Sequence, residues 1–180
     1  MVFRSFFGAA LSSITLAGLM VATAACSGNS SNEVDAGPSQ ANPLDAEESA
    51  LLQQINDHRA SNSITPVRQC ATLNESASQH ADDMRDKGYL DDAGQDGSKP
   101  RERACDAGYK TGCDQTAFAE LVASGVEDAS ATLGQWTKAT NTNDILLNPE
   151  LGVAGIGRSL GGEVPYWAVD FGTLTEPSCD

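Results

Sequence analysis

Apolar positions along the chain change their spacing twice. Phe6 to Ala25 form a stretch without acids, preceded by Arg4 and closing on small residues, which is the layout of an export signal rather than of a folded element. From Asp45 the pattern becomes amphipathic. Asp45 followed by Glu48 predicts an N-cap with its reciprocal partner, and Leu51, Leu52 and Ile55 recur at helical spacing to about Ala60. After an extended link, Ile64 to Gln69 with Pro66, a second helix carries Leu73, Ala77, Ala81 and Met84 on one face and stops at Gly88. The small residues on that face let a neighbour approach closely. A helical turn from Lys99 to about Ala107 and a longer helix from about Val126 to Ala139, anchored by Leu133 and Trp136, follow. The period then shortens to two. Leu151 to Leu160 and Glu163 to Thr173 read as strands joined by a tight turn at Gly161-Gly162, with Trp167, Val169 and Phe171 facing the core. Helices first and a hairpin last predict an α+β domain, its helices packed on a small, mainly antiparallel sheet.

The 180 residues suffice for one ordinary domain. With 25 acidic against 11 basic side chains the net charge is −14, which excludes nucleic acid or anionic lipid as an electrostatic partner. Removing the first segment takes away one Arg and no acid, so the remainder is more acidic still. Three divisions result: a signal at 1–25, a Ser, Asn, Gly and Pro tether at 26–44, and a folded domain at 45–180. Cys26 ends the apolar run and resembles the lipidated cysteine of a bacterial lipoprotein, although Thr23 stands where a large aliphatic residue is expected. Ala22-Thr23-Ala24 also fits an ordinary signal peptidase, and an uncleaved anchor of marginal length is a third reading. Lipidation would leave the domain outside the cytoplasm, anchored to a bacterial cell membrane, either an outer membrane or the cell surface.

Setting Cys26 aside leaves Cys70, Cys105, Cys113 and Cys179, which in an exported chain read as two disulfides. Three pairings are possible. The preferred one closes a short loop between Cys105 and Cys113 and ties the start of the domain to its end through Cys70 and Cys179. A four-cysteine metal site would need paired short spacings, which are absent.

Several runs then form a familiar series: Leu51 to Ala60 (LLQQINDHRA), Met84 to Tyr89, Gln95 to Ser98, Arg103-Ala104 with Ala107 to Tyr109, Ala119 to Gly125 (AELVASG), Leu147-Asn148-Pro149 before Gly155-Ile156-Gly157, and Tyr166 to Gly172 (YWAVDFG). Their order and spacing resemble the bacterial branch of the CAP superfamily, the cysteine-rich secretory, antigen 5 and pathogenesis-related 1 proteins, over about residues 46–173. The resemblance implies an α-β-α sandwich with an open cleft, which in many members holds two His and two acids able to bind a divalent metal. Carried over by position, the loop His falls on Asp92, the Glu of the family's Gly-Glu-Asn segment on Glu120, the second acid on Ala139 and the second His on Thr142. One of the four is retained. Two carboxylates and a hydroxyl suit at best a weak site for a hard cation, so no metal or other cofactor is expected. Glu120 has a structural reading as well: a buried carboxylate accepting main-chain hydrogen bonds near the sheet edge.

Other candidates fail on context. Gly157-Arg158-Ser159-Leu160-Gly161 matches the G-x-S-x-G pattern of serine hydrolases, but a strand rather than a helix follows it and no His occurs after His80. His80 reads as a hydrogen-bonded core or boundary residue on the inner side of helix two, and His58 as solvated or locally bonded. Asp92 to Gly97 lacks the bidentate Glu of a calcium loop, Arg103 standing in its place. Without a matched acid, base and nucleophile, the expected role is a non-enzymatic binding module for a lipid, a wall polymer or a protein. The alternative is a weak metal-assisted or acid/base hydrolase using Asp92 and Glu120. A spacer without any cleft ligand is a third class.

Overall fold

A computed structural model of the chain describes residues 43–110, 113, 117–173, 177 and 179. The signal at 1–25, Cys26 and most of the tether lie outside the described residues. Among the described residues no helix is long and apolar enough to cross a membrane.

The first helix, α1 (Ala46–Ser61), starts as predicted: the Asp45 carboxylate accepts from the Glu48 N–H at 2.8 Å and the Glu48 carboxylate from the Asp45 N–H at 2.7 Å. Its Asn56 side chain closes a two-way bond with the main chain of Val67, holding the extended link against the helix. Arg59 is completely buried and donates to the carbonyls of Thr65, Leu146, Asn148 and Leu151, which staples α1 to the segment entering the sheet. The link ends in β1 (Arg68–Gln69), followed by α2 (Ala71–Lys87), which stops at Gly88 in the left-handed conformation, φ 67°.

After the acidic loop come α3 (Pro100–Asp106), β2 (Phe118–Ser124), α4 (Ala129–Lys138), α5 (Thr140–Leu146), β3 (Val153–Ser159) and β4 (Tyr166–Gly172). The sheet order is β1-β3-β4-β2, with β1 parallel to β3 and the other pairs antiparallel. Helices cover both faces. Leu51, Ile55, Trp136, Leu146, Ile156, Trp167, Val169 and Phe171 fill the α1/α4/α5 side. On the other side α2 and α3 pack in two smaller clusters, around Leu73 and Tyr109 and around Ala77, Ala81 and Met84. Close approach of α2 depends on β3 having no side chains there. A Cβ on Gly155 would lie 2.1 Å from the Leu73 carbonyl carbon, and one on Gly157 2.1 Å from the Ser78 nitrogen.

The helix α4 begins later than the Val126 its periodicity suggests, because Asp128 caps it by accepting from the Ala131 N–H at 2.7 Å. Two elements were not anticipated. One is α5, split from α4 by an extended residue, Ala139 (φ −104°, ψ 132°). The other is β2, whose short mixed run AELVAS lacks a clean alternation. The hairpin is also wider than predicted: Ser159 pairs with Tyr166, so six residues rather than Gly161-Gly162 alone connect the strands, and Gly161 supplies the positive φ of 98°. Both preferred disulfides, Cys70–Cys179 and Cys105–Cys113, are present.

Candidate functional site

Among the described residues β2 is an edge strand, bonded on one side only, to β4. Beside it, α3 and the end of the acidic loop enclose a cavity of about 410 Å3 lined by Asp92, Lys99, Arg101, Glu102, Phe118 and Glu120, among others. Of the four carried-over positions, Asp92 and Glu120 meet here. Ala139 lies exposed at the α4–α5 break, and the Thr142 hydroxyl donates to the carbonyls of Trp136 and Ala139; neither lines the cavity.

Glu120 turns its carboxylate away from that cavity. Its side chain is fully buried while the residue as a whole is 7% exposed, so what reaches solvent is main chain. The carboxylate is engaged by Arg103, whose Nη2 lies 2.9 Å from Oε2 and 3.1 Å from Oε1. Thus the Glu120 side chain is held by a guanidinium, not by the main-chain donors its structural reading called for. Arg103 also donates to the carbonyls of Asp92 and Ser98, tying the acidic loop to the sheet.

Directly opposite Glu120 in the β2–β4 register stands Asp170, fully buried, with neither oxygen in good hydrogen-bond geometry. Burial pushes Asp170 up to about 6, against the opposing pull of Ser76, Glu120 and Arg103. Burial, and after it the adjacent Asp170 carboxylate, raise Glu120 well above the usual carboxylate range, Arg103 working the other way. Two acids this close share protons as a pair, which keeps one at pH values where a solvated carboxylate is bare.

His80 completes the cluster. Its ring is buried, with Nε2 2.9 Å from the Asp91 carbonyl and 3.5 Å from Glu120 Oε2, while Nδ1 has no partner. Burial, then the charge of Arg103, lower its pKa, so the ring stays neutral and Nε2 donates to the carbonyl. Its core placement agrees with the sequence reading, but its proximity to Glu120 was not foreseen. His58 instead bonds Asn143 on α5 at 2.8 Å, a contact between helices where a solvated or local one was expected, and the two histidines share no site. Ser159 closes β3 with its hydroxyl bonded to Asp82 and Arg85 and to neither histidine.

The acidic loop uses its carboxylates on itself. Asp91 accepts from the Ala93 N–H and Asp96 from the Ser98 N–H, both at 2.9 Å, and these bonds hold both acids below their ordinary range. Among the described residues no cluster of three or more His, Cys, Asp or Glu side chains is arranged to hold a metal ion. The family's metal does not fit these residues: its one retained ligand, Glu120, already faces a guanidinium.

Sequence reasoning missed Arg103 and Asp170 as neighbours of Glu120, and Ser76 as a neighbour of Asp170. One signal was legible: Asp170 interrupts the apolar run YWAVDFG, and an acid inside a strand with both neighbours apolar calls for a partner.

Helices on both faces of the four-stranded sheet make a three-layer sandwich, with the cavity beside the edge strand β2. The sequence profile of the family described as "CAP: Cysteine-rich secretory protein family" matches residues 52–171, and the chain belongs to that family. Solved structures agree on the fold. An outer surface protein from Borrelia burgdorferi superposes with a TM-score of 0.62 at 20% identity, over 73% of this chain and 97% of that one. An extracellular SCP-domain protein from Bacillus anthracis gives 0.60 at 19%, over 73% of this chain and 45% of that one. The venom allergen-like protein 4 of Schistosoma mansoni gives 0.54 at 9%, over 74% and 92%. No curated protein matches the chain in sequence.

Proposed function

We propose that this chain is an exported CAP domain that works by binding through the cleft beside β2 and not by turnover, held at its membrane by a lipidated Cys26. One observation carries the reading: the retained acid Glu120 is sealed behind its own strand against Arg103, and only its main chain reaches the cavity. A general acid or base must touch the proton it moves, and this carboxylate does not. The names of the Borrelia and Bacillus relatives, an outer surface and an extracellular protein, support export. Lipid, wall polymer and protein remain the ligand classes; nucleic acid is opposed by the net charge of −14.

The rival is an acid/base hydrolase using Asp92 and Glu120. The raised Glu120 favours it, since a carboxyl holding its proton near neutral pH suits a general acid. Two measurements decide. Calorimetric titration with zinc, calcium and magnesium is expected to give no binding heat. Turnover of a wall or protein substrate that disappears in Glu120→Gln, with the fold retained, would refute the binding-only reading. Mass spectrometry of the mature N-terminus tests the anchor: an acylated Cys26 is expected, and an unmodified start at Ala25 would remove it.

A further inference from the structure

Sheet edges in this fold are blunted by side chains. On β3, beyond the two residues of β1, the Ile156 N–H donates to Asn74 Oδ1 at 3.1 Å and the Arg158 N–H to Glu48 Oε1 at 2.8 Å. On β2, the Val122 carbonyl accepts from the Trp136 indole at 2.9 Å and the Ser124 carbonyl from Gln135 at 3.3 Å. Unpaired edges invite pairing with other chains, and these caps suppress it.

One stretch escapes. In an antiparallel strand, alternate residues turn both N–H and C=O outward. Since Val122 and Ser124 present their carbonyls to α4, Phe118 and Glu120 turn theirs outward too. They open onto the 410 Å3 cavity, and the exposed part of Glu120 is its main chain. Among the described residues nothing bonds four groups in a row: the Phe118 C=O, the Glu120 N–H and C=O, and the Val122 N–H. Among the described residues the edge is uncapped where the cavity adjoins it.

We propose that this edge recognises an extended, basic peptide segment by strand addition, the segment lying in the cavity between β2 and α3. Main-chain hydrogen bonds to Phe118, Glu120 and Val122 hold it, with side chains alternating toward Phe118 and away. Charge selects a basic segment. The chain carries −14 overall; in the cavity itself Asp92 and Glu102 stand against Lys99 and Arg101, and the neighbouring pocket tips the balance to the acidic side with Asp83, Asp96 and Asp106 against Arg103. This inference rests on the binding reading above and names its ligand class.

The test uses the 15N-labelled chain and the peptide acetyl-Lys-Val-Thr-Val-Thr-Lys-amide, with two controls: the same peptide N-methylated at alternate residues, and its analogue with Glu at both ends. Binding is expected to slow amide exchange at Glu120 and Val122 by about tenfold or more while Ala119 and Leu121, already bonded to β4, change little. The N-methylated and acidic peptides are expected to bind about tenfold more weakly or worse. Absence of binding at about millimolar peptide, equal binding of the N-methylated control, or protection elsewhere on the surface would overturn the inference, and the non-enzymatic reading would keep its own tests. Binding followed by cleavage would leave strand addition standing and overturn the non-enzymatic reading instead.

Discussion

Replacing Asp170 by Asn is expected to stabilise the protein, and by an amount that depends on pH in a defined direction. Asp170 is fully buried opposite Glu120, and burial lifts it from 3.8 to about 6. Below about pH 4 the acid is protonated in the folded and unfolded chains alike and its ionisation costs nothing. Between about pH 4 and 6 the unfolded chain gives up the proton first, so stability falls as pH rises, and above about 6 the full cost remains. At 1.36 kcal/mol per unit, a rise of this size is worth about 3 kcal/mol. Asn cannot ionise, and it lets Glu120 ionise against Arg103 without a second acid beside it. The gain should therefore grow from near zero at pH 4 to about 3 kcal/mol at pH 7, on the order of 10 °C in Tm for a domain of this size. Circular dichroism melts of wild type and Asp170→Asn at pH 4, 5, 6 and 7 provide the measurement. A gain equal at all four values, or a loss at pH 7, would refute the account of the pair as an acid cluster that burial keeps from ionising.

Arg59→Lys should cost about 3 kcal/mol or more in chemical denaturation, because one ammonium cannot span the four carbonyls that the buried guanidinium serves. A loss below about 1 kcal/mol would show that Arg59 is replaceable there. Gly157→Ala should lose several kcal/mol or fail to fold, since the new Cβ would meet the α2 main chain at 2.1 Å, while Gly162→Ala meets only the movable Arg85 side chain at 2.9 Å and should change stability by less than about 1 kcal/mol. Comparable melting of the two variants would argue against the close helix–sheet contact.

Much of the architecture could be read in advance where local chemistry and fold agree. Asp45 and Glu48 announced the start of α1, and Gly88 the end of α2, because caps are decided within a few residues. The strands around Val153 and Trp167 followed from alternation, and the resemblance supplied their arrangement. β2 escaped notice because its alternation mixes Glu120 with Ala and Ser, whose placement depends on what lies across the sheet. The same holds for α5, a seven-residue helix too short to show a period of its own.

The chain's own order of residues therefore determined its caps, its helix faces and its acidic charge, all properties of near neighbours or of composition. Which way Glu120 points, that Arg103 meets it from 17 positions away, that Asp170 faces it from β4, and that α4 caps only the far end of the outer β2 edge among the described residues were decided by tertiary structure alone. Sequence carries the identity of an ionisable group. Its partner, its desolvation and its access to a ligand arise only when segments distant along the chain are brought within hydrogen-bond range.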